Sequence, residues 1–549
     1  MAANDPAVNE EWNCDKGRWA FTWATAPDRL SVPLVRDPES GELLPASWPE
    51  ALDAAARGLR LARVQGGVGV LTGGRVTVED AYAYSKFARV ALDTNDVDFR
   101  ARPHSQEEAD FLGHAVAGQG LQVTYGDLEA APAVLLVGLE AEEESAIVFL
   151  RLRKAAARGQ QVFAIAPWAT RGAVKLGATL IPAAPGTEPE ILDAIGTSDR
   201  AVEDAAEALR ADGAVILAGS RLAEVPGALT AALNLAGATG ARLAWVPRRA
   251  GERGAVEAGA LPGLLPGGRP VDQAEARVDV AAAWGVGSLP DTPGRDTSAI
   301  LAAAASGELS GLVVGGLDPD DLPDPAAAIA ALDGAGFVVS LEVRASEVTK
   351  RADVVLPVAP PVEKSGTFLD WEGRWRHFPQ ALTSNAMPDY RVLDALADEL
   401  GVVLGLRGVE RVRGEIAELE VWEGDRVPAP SVSIGDLPTP TQGQAVLATW
   451  PLMLDAGRGQ DGEPFLAGTA HRAVVRLSAA TALEIEAGDG ASVTVSTSTG
   501  SITLPLVVTD MPDRVAWLPS NSRGSAVRSS LGTGAGSLVN LSATTAGVL

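Results

Sequence analysis

Residues 133–167 read AVLLVGLEAEEESAIVFLRLRKAAARGQQVFAIAP, and this stretch decides the fold class of the 549-residue chain. Residues 133–139 have the pattern of a buried strand, residues 145–157 that of a helix, and residues 161–166 that of a second strand. A strand, a helix and a strand in this order predict a right-handed βαβ unit in a mostly parallel sheet. Similar apolar stretches recur at 213–220, 311–319 and 336–343. The sequence therefore predicts an α/β fold with more than one sheet.

Length and composition limit the possible classes of function. A chain of this length predicts about three or four domains. With 46% hydrophobic and 21% charged residues it has the composition of an ordinary globular protein. Its net charge of −26 excludes a dominant basic face, so we expect no nucleic-acid partner. Four histidines and one cysteine leave few side chains for a metal site.

We expect no targeting signal and no direct insertion into a membrane. Residues 1–12 have neither the basic start nor the apolar stretch of a signal peptide. The longest apolar runs, such as residues 133–137, are far shorter than the ~20 residues that cross a bilayer. A single cysteine excludes an internal disulfide, which fits a reducing compartment. If the protein works at a membrane, it does so docked to another protein.

Two changes in composition and residue pattern suggest domain boundaries. Residues 262–294 are rich in proline and glycine, which is typical of a linker or a long crossover. After about residue 427 the helical pattern fades. In residues 482–510 polar and apolar residues alternate around glycine-containing turns, which predicts hairpins. We therefore expect a C-terminal domain that resembles a β-barrel.

Several sequence blocks, taken together, resemble the molybdopterin oxidoreductase family and occur in its order. They are VNEEWNCDKGRWAF (8–21), GRVTVEDAYAYSKFARVALDTNDVDFRARPHS (74–105), PGTEPEIL (185–192), ADVVLPVAPPVEKSGTFLDWEGRWRHF (352–378) and VAWLPSNSRG (515–524). The resemblance covers nearly the whole chain, and its strength lies in the collinearity of the blocks. It implies two dinucleotide-type parallel-sheet domains and a C-terminal β-barrel domain.

The anatomy of that family also implies a domain plan. One α/β domain is expected to be discontinuous, because its second part returns after the linker. The expected units are 1–47, a remnant of a small iron–sulfur domain; 48–105 with 296–426, the discontinuous α/β domain; 106–262, the second α/β domain; 263–295, the linker; and 427–549, the barrel.

The departures from the family pattern are as informative as the matches. Active members of the formate dehydrogenase type carry a metal-ligating Cys or selenocysteine where this chain has Pro103, and proline offers no ligating atom. Their Asp-Pro-Arg is replaced by Ala-Pro-Trp at 166–168, and their Gly-Ser-Asn-Pro by Gly-Leu-Glu-Ala at 138–141. Glu140 and Glu142–Glu144 would then repel cofactor phosphates at the carboxyl end of a strand. The resemblance therefore implies that molybdopterin has been lost.

This pattern of loss resembles the family of G subunits of bacterial proton-pumping NADH-quinone oxidoreductases (complex I), in an actinobacterial form without its iron–sulfur N-terminus. The resemblance implies a peripheral-arm subunit that supports electron transfer from NADH to quinone, mainly as a scaffold, with no catalytic residue of its own. The implied partners are the flavin- and NADH-binding subunits and the quinone-site subunits, at the cytoplasmic face of the plasma membrane. Two alternatives stay open: an active molybdopterin-dependent oxidoreductase of the formate dehydrogenase type, and a stand-alone assembly or binding protein.

Cys14 and Lys16 are the first two candidate site residues that the resemblance implies. Cys14 matches one of four thiolates that hold a [4Fe–4S] cluster, and the other three would lie upstream of this sequence. The cluster is thus expected only in the complete protein, and in this chain Cys14 is expected as a free thiol. Lys16 matches a lysine that lies between cluster and pterin in cofactor-bearing relatives. A solvated lysine is the alternative.

The other candidates come from two blocks that approach the cofactor in the family. They are Gly186, Thr187, Glu188, Glu363 and Lys364. We expect at most a vestigial cofactor contact from them, and turns or charge pairs at strand ends are the favoured interpretation. His104 is a titratable group with no nucleophile or second acid predicted beside it, so we interpret it as a residue of the fold.

Overall fold

The fold is seen in a computed structural model that describes residues 4–195 and 200–543. The strands, in chain order, are β1 (Leu34–Arg36), β2 (Leu43–Pro45), β3 (Val68–Thr72), β4 (Val97–Asp98), β5 (Ala133–Val137), β6 (Gln161–Ala166), β7 (Thr179–Pro182), β8 (Val215–Gly219), β9 (Arg242–Val246), β10 (Leu264–Leu265), β11 (Arg269–Pro270), β12 (Gly311–Gly315), β13 (Phe337–Glu342), β14 (Val354–Pro357), β15 (Gly366–Leu369), β16 (Trp375–Phe378), β17 (Gln444–Trp450), β18 (Val475–Leu477), β19 (Ser492–Ser496), β20 (Ser501–Val508), β21 (Val515–Pro519), β22 (Asn521–Ser522), β23 (Ser525–Ala526) and β24 (Leu538–Ala543).

The α-helices, in chain order, are α1 (Asp15–Trp19), α2 (Trp48–Gln65), α3 (Val78–Lys86), α4 (Gln106–Phe111), α5 (Tyr125–Ala130), α6 (Ala141–Glu144), α7 (Ala146–Ala156), α8 (Arg171–Leu176), α9 (Glu188–Ala194), α10 (Arg200–Leu209), α11 (Ala228–Thr239), α12 (Glu252–Glu257), α13 (Ala274–Trp284), α14 (Thr297–Ala305), α15 (Pro325–Gly334), α16 (Glu347–Arg351), α17 (Asp389–Leu400), α18 (Val409–Glu418), α19 (Pro464–Ala467), α20 (Ala479–Glu484) and α21 (Val527–Leu531). Short 3-10 and π turns extend or join several of them.

The first sheet has seven strands in the order β2-β1-β14-β13-β12-β3-β4. Its five strands from β14 to β4 run parallel, and β1 and β2 add an antiparallel edge. The chain leaves β3 towards β4 on one side and β12 towards β13 on the other. The boundary between β3 and β12 is therefore a topological switch point, the place where open α/β sheets bind ligands.

The second sheet has five parallel strands in the order β7-β6-β5-β8-β9. Every residue of β5 and β8 is buried. Unbroken apolar runs of this kind are expected when helices cover both faces of a parallel sheet. The switch point of this sheet lies between β5 and β8, because the chain continues from them to opposite edges.

The C-terminal part forms a closed barrel in the order β17-β21-β18-β20-β19-β24. β19 and β20 form the hairpin that the alternation in residues 482–510 predicts, with Ser496 opposite Ser501. The interior of the barrel is a separate apolar cluster that includes Val493, Val495 and Leu506. Closing the sheet removes the exposed edges that would otherwise pair with other chains.

Helix α2 illustrates how local sequence fixes an element. Ser47 caps its N-terminus and forms a capping box with Glu50, so two otherwise unpaired backbone N–H groups are satisfied. Its buried side is made of small and aliphatic residues: Ala51, Ala55, Ala56, Leu59 and Ala62. Burying a leucine such as Leu59 contributes about 1.5–3 kcal/mol. This face anchors α2 on the seven-stranded sheet and on α17.

The predicted α/β class, the parallel sheets and the barrel are confirmed. Around residues 133–167 the observed β5, α7 and β6 match the predicted strand, helix and strand closely. The bounds of the domains stay predictions, but two details differ from the plan. β1 and β2 precede residue 48 and yet join the seven-stranded sheet, and residues 263–295 contain a short hairpin and helix α13.

Within the described ranges, no helix is both long and apolar enough to cross a bilayer.

Candidate functional site

A row of cavities runs between the two parallel sheets and the barrel. A cavity of about 310 Å³ lies at the switch point of the seven-stranded sheet, beside Gly73 and Gly316. A cavity of about 290 Å³ lies at the switch point of the five-stranded sheet, beside Gly138 and Leu222. Two more lie between them: one of about 90 Å³ that includes Pro103, and one of about 290 Å³ that includes Cys14 and Lys16. We call these four cavities the cleft.

The acidic run after β5 turns inward to local partners. Glu144 accepts a hydrogen bond from the backbone N–H of Glu140 at 2.6 Å and pairs with Arg221. Glu143 accepts a hydrogen bond from the backbone N–H of Met453, in the barrel, at 2.8 Å. Burial raises the pKa of Glu140 to about 7, and the neighbouring carboxylates add to this shift. The run that was predicted to repel phosphates is thus held in place by protein contacts.

Cys14 lies at the N-cap of α1 and lines one of the central cavities. Its Sγ accepts a hydrogen bond from the backbone N–H of Gly17 at 3.3 Å. It is partly exposed. The sequence holds no second cysteine, so this chain can offer one thiolate of the four that such a cluster needs.

Lys16 is not a freely solvated side chain. Its Nζ lies 3.1 Å from Oδ1 of Asp455, a carboxylate that also pairs with Arg248 at 2.6 Å. Burial lowers the pKa of Lys16, although Asp455 opposes that shift. Burial would raise the pKa of Asp455, but the charges of Lys16 and Arg248 outweigh it and hold that pKa low. Lys16 is therefore part of an ion network.

The segment Gly186-Thr187-Glu188 lies at the cavity of the five-stranded sheet. Gly186 has φ +96°, which favours glycine, and a Cβ there would lie 2.6 Å from Leu437. Thr187 donates a hydrogen bond to the Ala184 carbonyl at 2.8 Å, and Glu188 accepts one from the Gly186 N–H at 2.7 Å. These contacts are turn contacts within the segment, and residues after 427 pack against it.

Glu363 and Lys364 lie near the other end of the cleft, and ion pairs engage both. Glu363 forms a two-bond pair with Arg29, at 3.0 and 2.9 Å. Lys364 is buried and lies 2.6 Å from Asp80 and 3.2 Å from Asp389. These two carboxylates raise the pKa of Lys364 against the effect of burial. The structure does not bring these two residues together with Gly186–Glu188 at one cavity.

Sequence reasoning missed the charged residues at the centre of the cleft. They are Arg75, Arg221, Arg248, Arg249, Asp321, Asp455 and Arg528. Apart from the adjacent Arg248 and Arg249, they are scattered along the chain, and all but Arg75 lie outside the blocks that resemble the family. His104, in contrast, is placed as a residue of the fold, with Nδ1 2.8 Å from the Arg102 carbonyl and Nε2 3.5 Å from Asp296.

Beside Pro103 the cleft does not fit a metal-bearing pterin cofactor. Pro103 lines the smaller of the two central cavities and offers no atom to a metal. That cavity measures about 90 Å³, whereas pockets for cofactor-sized ligands measure about 300–1,000 Å³. Ion pairs of Arg221 with Glu144 and of Arg249 with Asp321 cross it. Within the described ranges, no group of three or more His, Cys, Asp or Glu residues is placed to hold a metal ion.

Comparison with known proteins gives the relationship. Residues 29–399 match the molybdopterin oxidoreductase family. The G subunit of NADH-quinone oxidoreductase from Mycobacterium bovis is 58% identical to this chain over 550 residues, which cover 99% of the chain and 67% of that protein. The chain belongs to the family of NADH-quinone oxidoreductase G subunits. The G subunit of Streptomyces coelicolor is also 58% identical, over 98% of the chain and 67% of that protein.

Both relatives come from actinobacteria, so the predicted actinobacterial resemblance within the G-subunit family is confirmed. The fold extends further than this family. The solved structure of acetylene hydratase from Pelobacter acetylenicus superposes with a TM-score of 0.61, over 94% of this chain and 88% of that one. At 15% identity this similarity shows a shared fold only. Members of the G-subunit family therefore share an architecture with proteins outside their own family.

Proposed function

We propose that this member of the G-subunit family is a peripheral-arm subunit of a proton-pumping NADH-quinone oxidoreductase, and that its described part acts mainly as a scaffold. The observation that carries the proposal is the cleft. Its central charged residues pair with one another, as Lys16 does with Asp455, and the cavity beside Pro103 measures only about 90 Å³. Family membership supplies the complex in which such a scaffold would work.

The proposed partners are the flavin- and NADH-binding subunits and the quinone-site subunits, at the cytoplasmic face of the plasma membrane. The chain would reach that face through the complex. The test is to tag the chromosomal copy, solubilise membranes gently and identify the co-purifying proteins by mass spectrometry. We expect those subunits together with NADH-quinone reductase activity. Recovery of the chain alone would contradict the proposal and favour a stand-alone assembly or binding protein.

Molybdenum content separates the scaffold from an active formate dehydrogenase-type enzyme. We expect far less than one molybdenum atom per chain by elemental analysis, and no reduction of dyes with formate. Pro103 at the position of the metal ligand is the physical reason. Stoichiometric molybdenum in the purified complex would overturn this part of the proposal.

We also propose that Cys14 binds one corner of a [4Fe–4S] cluster when the remaining ligands are supplied. A chain extended at its N-terminus by a segment that supplies three further cysteine ligands should be brown, with cluster absorption and an EPR signal after reduction. Cys14→Ser should lose or alter that signal while the α/β core stays folded. The matched control is Asn13→Ser, next to it and exposed. An unchanged cluster in Cys14→Ser would refute the assignment.

A further inference from the structure

Asp455 lies where three parts of the chain meet. It belongs to the segment that follows β17 of the barrel. Its carboxylate pairs with Lys16 of the N-terminal segment at 3.1 Å and with Arg248, which follows β9 of the five-stranded sheet, at 2.6 Å. Gln460 donates a further hydrogen bond to it at 2.7 Å, which fixes its orientation. Only 5% of this side chain is exposed.

Arg249, the next residue after Arg248, continues the network to the seven-stranded sheet. It pairs at 2.7 Å with Asp321, in the turn that follows β12, and donates a hydrogen bond to the Ala101 carbonyl at 3.0 Å. Arg528, in α21 beside the barrel, donates to the backbone carbonyl of the same Asp321 at 2.8 Å. The adjacent Arg248 and Arg249 thus pair with carboxylates of two different parts of the molecule, the barrel and the seven-stranded sheet.

Strand pairing does not hold the barrel to the two parallel sheets. Among the described residues, the barrel shares no strand hydrogen bond with either parallel sheet. An apolar contact exists: Trp168, which follows β6, stacks on Trp450 of the barrel at a ring distance of 5.9 Å and contacts Trp517. Such a contact is nearly non-directional, whereas a buried, hydrogen-bonded ion pair has a narrow geometry. The ion pairs therefore add directional constraints to this apolar contact, as does the hydrogen bond from the Met453 N–H to Glu143.

We infer that Arg248 and Arg249, with Asp455 and Asp321, form an ionic tie that fixes the barrel against both parallel sheets within the cleft. Lys16 brings the segment that carries Cys14 into the same tie. The inference rests on the geometry of this chain and does not depend on the proposed role in the complex. A chain that failed to co-purify with other subunits would still have the tie.

The test is Asp455→Asn in the full chain, followed by hydrogen exchange. Removing one partner of a buried pair leaves the other charges uncompensated, so the segments that meet at Asp455 should open more often. We expect exchange to become at least about tenfold faster in residues 14–19, 247–249 and 451–463. Exchange in the buried strands β5 and β12 should not change. The matched control is Asp398→Asn, because Asp398 pairs with Arg407 on the surface, and it should leave those segments unchanged.

A second variant separates the tie from a general loss of stability. Adding Arg248→Met to Asp455→Asn removes one stranded cation, so the double variant should exchange more slowly in residues 451–463 than Asp455→Asn alone. Equal exchange in Asp455→Asn and the unmodified chain would overturn the inference. So would a uniform rise over all strands with no recovery in the double variant, because that pattern describes global unfolding.

If Asp455→Asn does not fold, Lys16→Met provides the second measurement. Lys16 is a partner of Asp455 with 35% of its side chain exposed, and Arg248 still pairs with Asp455 when Lys16 is replaced, so this variant is milder. The tie predicts faster exchange in residues 14–19 and 451–463 while β5 stays unchanged. Unchanged exchange in both segments would overturn the inference.

Discussion

Two ion networks in this molecule look alike and are built differently. The first, which we call the Lys364 network, joins Asp80, Lys364 and Asp389, and Tyr84 donates to Asp389 at 2.9 Å. All its members are buried against the seven-stranded sheet. The ionic tie, in contrast, joins bodies that share no strand pairing among the described residues, and Arg248 remains 28% exposed. The first network is part of a core, and the second is a junction.

The difference shows what a family motif can stand for. Lys364 belongs to a block that approaches the cofactor in active relatives, yet in this chain its ammonium is neutralised by two carboxylates of the fold. Burial and the charge of Asp80 raise the pKa of Asp389, and Lys364 opposes them. The contacts of Lys364 in this chain are thus those of a residue that holds helices α3 and α17 together. Arg248, Arg249, Asp321 and Asp455 lie outside the sequence blocks that resemble the family.

The largest effect is expected from Lys364→Met. The substitution keeps the bulk of the side chain but leaves Asp80 and Asp389 as two like charges in a buried site. Breaking a buried pair in this way costs about 3–5 kcal/mol. The midpoint of urea unfolding, followed by far-UV circular dichroism, should fall strongly.

The matched control for Lys364→Met is Lys350→Met. Lys350 pairs with Glu347 within α16, and its side chain is 66% exposed, so its removal should barely move the midpoint. If both variants unfold at the same urea concentration, the Lys364 network is no part of the core. Adding Asp80→Asn to Lys364→Met should restore some stability, because one of the two stranded charges is then gone.

The sequence predicted the class of the fold because the pattern of buried strands is local. Ala133–Val137 is an apolar run, Gln161–Ala166 has four buried residues at its centre, and short runs of this kind favour buried strands. The hairpin of β19 and β20 was equally visible, since alternation and a Gly-containing turn lie within one short stretch. The antiparallel edge strands β1 and β2 were not visible, because they are three residues each and partly exposed.

The residues of the site were predictable from the sequence only where they lie close together in the chain. Cys14 and Lys16 were found through one block, but the partner of Lys16 is Asp455, 439 positions away. No pattern in a single sequence predicts the contact between two such residues, and nothing in the sequence distinguishes Asp455 from the other aspartates. The pairing of Lys364 with Asp80 escaped for the same reason. Both lysines were predicted as vestigial cofactor contacts or ordinary charges, and that assignment stays untested by the relatives.

A second effect, small at each pH step, is expected from Glu342, which lines the same cavity as Lys364 but has no cation in contact with it among the described residues. Burial raises its pKa to about 8, Asp389 and Asp318 add to the shift, and Arg458 opposes it. The folded chain then keeps this proton up to about pH 8, whereas an unfolded glutamate releases it near pH 4.3. Stability from this group is therefore lost as pH rises through that interval, by about 1.4 kcal/mol per pH unit.

Glu342→Gln removes the titration and keeps the shape. The unfolding midpoints of the two proteins should diverge steadily between pH 5 and pH 8. The midpoint of the unmodified chain should fall relative to that of Glu342→Gln as pH rises. Glu410→Gln is the control, because Glu410 is 83% exposed in its pair with Arg413 and its profile should run parallel to that of the unmodified chain. Parallel profiles for Glu342→Gln as well would mean that this carboxyl is solvated and ionised in the folded protein.

The smallest effect concerns α2, which packs on the seven-stranded sheet and takes part in neither network. Ser47→Ala removes the hydroxyl that accepts from the Glu50 N–H, and an N-cap of this kind contributes about 1 kcal/mol. Ser47→Thr keeps a capping oxygen and should recover most of that loss. Hydrogen exchange should quicken in the first turn of α2 and leave both residues 451–463 and α3 unchanged. If exchange in residues 451–463 also quickened, the tie would depend on the stability of the whole seven-stranded layer. The distinction between the Lys364 network as part of a core and the ionic tie as a junction would then be wrong, because both would belong to one cooperative unit.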